Sequence, residues 1–320
     1  MSWINEWQVK IRRSRFVRST VRISRSIHPP GFEGLSLHYV ARYFIEGLQK
    51  GALTTRAAAI SFRLFMAFFP IIIILLSLIP KIPVEGFQEE LFTSIEGFFP
   101  GDTYQLVEST LNDLVNKTHT TFLSIGFILG FFYASSSINA IWLGFNGSYH
   151  LDDRGNPFLM RLVSVGVLMI LGLLLFIAVS LVLFSGYAFD YLHAIRIIPD
   201  NGILIILEVA KWLIVVMLIY FSITILYNMG NLKRSHWKMF SAGATFTTIL
   251  FLIASILFAW FVNNFAQFNR LYGSLGTLIL LLIWVNFNSI ILLLGFELNT
   301  SIKRAKSVVT DTTEKPELSV

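Results

Sequence analysis

The chain has 320 residues, 55% of them hydrophobic and only 14% charged, with no Cys and a formal net charge of +6. About 25% charge is usual in a soluble domain, so the balance points away from that class. The lack of Cys excludes disulfides and thiolate metal sites, and the excess of positive charge has to be explained by its placement.

The first sixty residues are basic rather than apolar. Between Lys10 and Arg25 the basic residues alternate with Val9, Ile11, Phe16, Val17, Val21 and Ile23. A cleavable secretory signal would continue at once into an apolar stretch, and none follows before Ile60. Such a segment suits an anionic inner leaflet, at about 1 kcal/mol per basic residue near the surface. A nucleic-acid partner is the poorer reading, because no folded binding module accompanies the charge. Pro29-Pro30-Gly31 then breaks the chain. Leu35 to Leu48 is predicted as an amphipathic helix along the interface, with Tyr39/Tyr43 and Val40/Phe44/Leu48 at four-residue spacing.

Six apolar runs follow: Ile60–Ile79, Phe122–Leu143, Phe158–Phe184, Ile203–Tyr227, Met239–Phe261 and Leu275–Phe296. Each reaches the about 20 residues that a helix needs to cross a hydrocarbon core of about 30 Å. Unpaired backbone amides are not tolerated in lipid, so each run is predicted as a spanning helix. The fold class is thus an all-α integral membrane protein with six transmembrane helices. Gly51 permits a turn before the first span, Thr54 or Thr55 is placed to cap it, and Pro70 is expected to kink it.

The segment from Lys81 to Thr121 is the one sizeable loop on the outer side. It repeats apolar residues at helical spacing (Phe87, Leu91, Ile95, Phe98, then Val107, Leu111, Leu114, Val115), with Pro100-Gly101-Asp102 between. Two amphipathic helices covering the outer mouth are expected. The domain reading is a basic tail with its amphipathic helix over 1–58, a transmembrane domain over 59–300 that includes loop 81–121, and a polar cytoplasmic tail over 301–320.

Orientation follows from Lys and Arg. Lys81, Lys117, Arg196 and Arg270 alone fall on the side of that loop, and Arg63, Arg161 and Lys211 fall within spans. The rest of the 25 basic residues lie on the opposite side. Basic residues accumulate on the cytoplasmic face, so both termini are placed there, on a chain that crosses the membrane several times.

Polar residues within spans are costly, and they supply the candidate sites. Glu208 and Lys211 are three apart and share a helix face. Lys211 lies about 12 Å into the fourth span, and Ser222 lies eleven residues further on nearly the same face. Two readings stand: a polar track or anchor for an anionic head group, or an internal pair holding the bundle together. In the sixth span Asn286 and Glu297 share one face, and Asn288 and Asn299 another. The Asn residues read as interhelical hydrogen-bond donors and acceptors, while Glu297 stays open. Arg56 and Arg63 are two turns apart on the first span. Arg63 is read as an anchor, a lipid-phosphate contact or the partner of Glu297. Ser135, Ser136, Ser137 and Asn139 suit close helix packing.

Soluble enzyme chemistry leaves no trace. His28, His38, His119, His150, His193 and His236 are scattered, and no HExxH, Walker loop or nucleophile elbow occurs. No catalytic residue, cofactor or metal site is therefore assigned. Asp152-Asp153-Arg154 reads as a turn before Pro157.

Three stretches carry a family resemblance. Arg56 to Pro70 (RAAAISFRLFMAFFP) resembles the RAAALAYYxLLSLFP opening of the YihY/BrkB family of bacterial inner-membrane proteins. Ser135 to Arg154 is similar to that family's loop after the second span. Tyr272-Gly-Ser-Leu-Gly276 through Gly295-Phe-Glu-Leu-Asn299 is similar to its closing stretch. Arg63 stands where the family has an aromatic residue, and Asn286 where Tyr is common, so neither is carried over as a family site. The resemblance implies six helices with both ends inside, in a bacterial inner membrane crossed several times. The family once bore the label ribonuclease BN, and Gram-negative members are linked to envelope lipid handling. The expected function is transport or handling of envelope lipid, with membrane lipids as partners. A structural or interaction protein is the alternative, and a membrane-bound ribonuclease ranks last.

Overall fold

The computed structural model describes residues 24–78, 120–148, 157–194, 201–230, 237–264 and 274–314. The basic segment before residue 24, the outer loop from Lys81 and the Asp152-Asp153-Arg154 turn lie outside them. Seven main helices occur among the described residues: α1 (Leu37–Lys50), α2 (Leu53–Leu78), α3 (Thr120–Asn146), α4 (Pro157–Ala194), α5 (Asn201–Met229), α6 (Ala242–Asn264) and α7 (Ser274–Glu314). No strand is found among the described residues.

Five of these helices are long and apolar enough to cross a membrane, and α1 with α2, bent by 67° at Gly51-Ala52, make a sixth candidate. That bend has a local cause. The amide of Gly51 donates to Gly47 O at 2.8 Å, which closes α1, and Ala52 takes a positive φ of 45°. The next helix therefore starts in a new direction. Helix α1 keeps the amphipathic face read from its four-residue spacing. Pro70 lies inside α2, which continues through it.

Helix α7 is the spine of the bundle, packing against α1, α2, α3 and α6, while α4 and α5 complete the ring between α3 and α6. Buried side chains gather at the end where α2 begins and α3 ends: Ile60, Trp142, Phe145, Tyr227, Leu293 and Phe296. Phe145 stacks on Phe296 with ring centroids 4.0 Å apart, and Trp142 Nε1 donates to Leu226 O at 3.3 Å. Elsewhere large apolar side chains point outward, among them Phe158, Leu162, Phe176, Ile205, Ile256 and Trp260. A continuous exposed apolar belt on this scale is a surface made for lipid.

Residues 301–314, expected as part of a polar tail, continue α7. Ile302 and Ala305, one turn apart, are buried against Phe32, Leu35 and Val40, and this contact holds the charged end of α7 helical. Contact between α6 and α7 is close because both present glycine. A Cβ on Gly295 would lie 1.8 Å from Thr247 Oγ1, and one on Gly243 would lie 2.1 Å from Gly295 O.

Candidate functional site

The most enclosed charge is Glu297, fully buried on α7. Its Oε2 accepts from Ser148 Oγ at 2.8 Å, just beyond α3, and stands 3.7 Å from Arg56 Nη2. Arg56 sits in the first turn of α2 with its side chain 11% exposed. Its Nη1 donates to Gly144 O at 2.8 Å, one of the carbonyls that the end of α3 leaves unpaired. Thr300 Oγ1 donates to Glu297 O at 2.9 Å and lies 3.4 Å from Ser148 Oγ.

Glycines bring the backbones around this pair. A Cβ on Gly47 would lie 2.1 Å from Glu297 Oε1, one on Gly51 2.8 Å from Arg56 Nη2, and one on Gly147 2.9 Å from Arg56 Cδ. The ends of α1 and α3 and the start of α2 thus close on one residue of α7. Arg56 Nε, Arg56 Nη2 and Glu297 Oε1 are buried with no hydrogen-bond partner among the described residues. At 3.7 Å the pair is in ion-pair range without a hydrogen bond, so both groups keep capacity for a further polar atom.

The structure separates the other candidates. Arg63 does not reach Glu297; its Nη1 donates to Ser136 Oγ at 3.2 Å, and its carbonyl accepts from Ser137 Oγ at 2.9 Å. Two turns along α2, about 10 Å, place it at a different level from Arg56. Glu208 and Lys211 pair at 2.6 Å, but Glu208 is 48% exposed and also accepts from Trp212 Nε1 at 3.0 Å. Glu208 faces outward on α5, while the Lys211 side chain beside it is only 11% exposed, since helix spacing fixes a shared face but not its direction. Ser222 turns inward to a cavity whose wall does not include Lys211. Asn286 Nδ2 donates across to Ser61 Oγ on α2 at 3.2 Å. Asn299 accepts from Gly243 N at 2.8 Å and donates to Ser241 Oγ at 3.2 Å, tying α7 to the start of α6.

An apolar cavity of about 480 Å³ lies at the level of the spans, bounded by Leu64, Leu174, Ala178, Ser222, Phe251 and Trp284 among others. Asn288, also on its wall, donates Nδ2 to Trp284 O at 2.8 Å, while its Oδ1 is buried with no partner among the described residues. Ser222, Thr247 and Ser289 add hydroxyls to the wall.

Sequence reasoning missed Ser148, Thr300 and the Tyr227–Thr247 contact of 2.6 Å. It also missed Glu33, which bridges Lys238 and Lys306. Each joins segments far apart in the chain, and periodicity carries no signal for that.

These helices and their apolar outer belt define a polytopic α-helical membrane protein. The chain belongs to the virulence factor BrkB family, whose pattern matches residues 44–318. It is similar to the ribonuclease-like protein YfkH of Bacillus subtilis, at 27% identity over 79% of this chain and 91% of that one. A UPF0761 membrane protein of Aggregatibacter aphrophilus is 23% identical over 82% of this chain and 92% of its own. Another, from Vibrio parahaemolyticus, is 24% identical over 82% and 81%. No solved structure matches the chain.

Proposed function

We propose that this protein transports or handles envelope lipid in a bacterial inner membrane, with both termini in the cytoplasm. One observation carries the reading: the span-level cavity of about 480 Å³ has an apolar wall and a few isolated polar atoms, including the unpartnered Asn288 Oδ1. A lipid tail fills apolar space of this kind, and a single hydroxyl or amide donor would satisfy the Asn. The buried Arg56–Glu297 pair supplies opposite charges near the entrance to the same bundle, suited to a polar head group. The bias of Lys and Arg toward one side supports the orientation.

RNA cleavage, prompted by the name of the Bacillus relative, fits less well. Among the described residues no three His, Cys, Asp or Glu side chains are placed to hold a metal ion. A phosphate backbone would also require a basic groove with strong salt dependence. The test is mass spectrometry of lipid retained by the purified protein. Wild type should hold phospholipid or glycolipid, Ala178→Trp should displace it from the cavity, and Phe176→Trp on the outer face should not. Equal retention in all three, or metal-dependent RNA cleavage abolished by Asp152→Ala, would overturn the proposal.

A further inference from the structure

A second recess lies where α5, α6 and α7 meet the segment ahead of α1. It is a polar pocket of about 280 Å³ whose wall includes Glu33, Asn228, Lys238, Asn299, Thr300 and Lys303. Its floor is rigidly built. Asn228, at the end of α5, accepts from Lys238 N and donates to Lys238 O, both at 3.0 Å. Tyr220 OH donates to Met239 O at 3.4 Å and accepts from Ser241 N at 3.3 Å. Ser241 in turn caps α6, its Oγ accepting from Ala244 N at 3.1 Å. Lys238 is thereby held beside the positive end of α6.

Into this site the strap Pro29–Ser36 places Glu33. Phe32 and Leu35 are buried against Val40, Ile302 and Ala305, which pins the strap down. Between Gly31 and Gly34, with φ of 86° and 81°, Glu33 itself adopts φ 52°. That left-handed conformation is unfavourable for a residue with a Cβ. One carboxylate oxygen accepts from Lys238 Nζ, and the other accepts from Lys306 Nζ at 2.7 Å. A carboxylate shared between two lysines occupies the position a phosphate would take.

Directly beyond the shared wall of Gly31, Phe240, Ser241 and Ala242 opens an apolar groove of about 570 Å³ between α1 and α6, lined by Phe32, Val40, Phe44, Phe246 and Ile249. Trp237, Met239 and Phe240 flank Lys238 and are exposed, Phe240 at 79%. A tryptophan with large apolar neighbours beside a lysine is the composition of a segment seated at a membrane interface.

We infer that Lys238 and Lys306 form the head-group site for an anionic glycerophospholipid whose acyl chain lies in the α1–α6 groove, and that Glu33 is the placeholder this lipid displaces. The inference rests on the lipid reading above but assigns it a site apart from the span-level cavity. The basic pair binds the phosphate, Asn299 Nδ2 keeps a second hydrogen beyond its bond to Ser241 for a glycerol or head-group oxygen, and the apolar groove selects a lipid over free phosphate. When the lipid enters, Glu33 loses both lysines and the strap loses its charged tether. Its Phe32 and Leu35 anchors stay in place.

The full chain in nanodiscs of equal phosphatidylglycerol and phosphatidylcholine tests this, with lipid retained after mild delipidation measured by native mass spectrometry. Wild type should retain phosphatidylglycerol preferentially. Glu33→Gln should raise that retention about threefold, as removal of an exposed competing ion pair allows. The double change Lys238→Gln, Lys306→Gln should remove the preference, the corresponding double change to Arg should keep it, and Thr245→Trp in the groove should lower total retention at the site. Glycerol phosphate in solution should compete poorly. Unchanged retention in Glu33→Gln and in the Gln double variant, with lipid still displaced by Ala178→Trp, would overturn this site and leave the lipid reading standing. No lipid on the wild type would overturn both.

Discussion

At the scale of single residues, Glu297 and Arg56 dominate. A buried ion pair is a weak source of net stability, yet removing one member leaves an uncompensated charge in low dielectric. Glu297→Ala or Arg56→Met alone is expected to destabilise the protein by about 3–5 kcal/mol, while the double variant recovers much of that loss. Unfolding in mixed detergent measures it, and wild-type stability in both single variants would show that the pair is not coupled. Both residues were legible in the sequence as charges at the cytoplasmic ends of the first and sixth apolar runs. Their partnership was not. Helical spacing puts Arg63 on the same face as Arg56 and offers Arg63 as the partner of Glu297; depth along α2 gives that place to Arg56, and depth depends on where α7 crosses. Ser148 and Gly47 were invisible for the same reason, being ordinary residues made special by a neighbour far along the chain.

Among the helices, the α6–α7 contact is decided by two glycines. Gly295→Ala and Gly243→Ala would each drive a Cβ against Thr247 or backbone at 1.8 and 2.1 Å, so the helices must part. Overpacking of this kind typically costs about 1–3 kcal/mol. Gly166→Ala on α4, where a new Cβ meets nothing within 4 Å, should be neutral or slightly stabilising through helix propensity. Thermal melts of the three variants make the comparison. A Gly295→Ala melt equal to wild type would show that the close approach is not maintained. The spans themselves were readable from apolar length alone. The helical extension of α7 was not, because Lys303, Arg304 and Lys306 look like a solvated tail until Ile302 and Ala305 find Phe32 and Val40.

For the molecule as a whole, the strap before α1 links its first described residues to its last helix. Hydrogen bonds from Lys238 and then Lys306 hold the Glu33 carboxyl below its ordinary pKa. A group with a depressed folded pKa stabilises the folded form fully above its unfolded pKa and loses that effect as pH falls through the folded value. Strap protection should therefore be constant from neutral pH down to the ordinary carboxylate range and weaken only below it. Hydrogen exchange of residues 29–36 reads this directly. In Glu33→Gln the acid dependence should vanish, and an unaltered profile would assign it to another group. The effect should be small, about 0.2–1 kcal/mol, since all three side chains reach water.

The union of Arg56 with Glu297 also sets an order of events in biogenesis. Synthesis delivers the arginine with the first long apolar helix and the glutamate with the last, so the pair forms only once the intervening helices have been made. Until α7 arrives, the arginine has no countercharge from α7 and the glycine-lined joint has no glutamate to close upon. An unfinished or truncated chain without α7 therefore carries an arginine that the complete chain pairs with Glu297. The final helix conceals it.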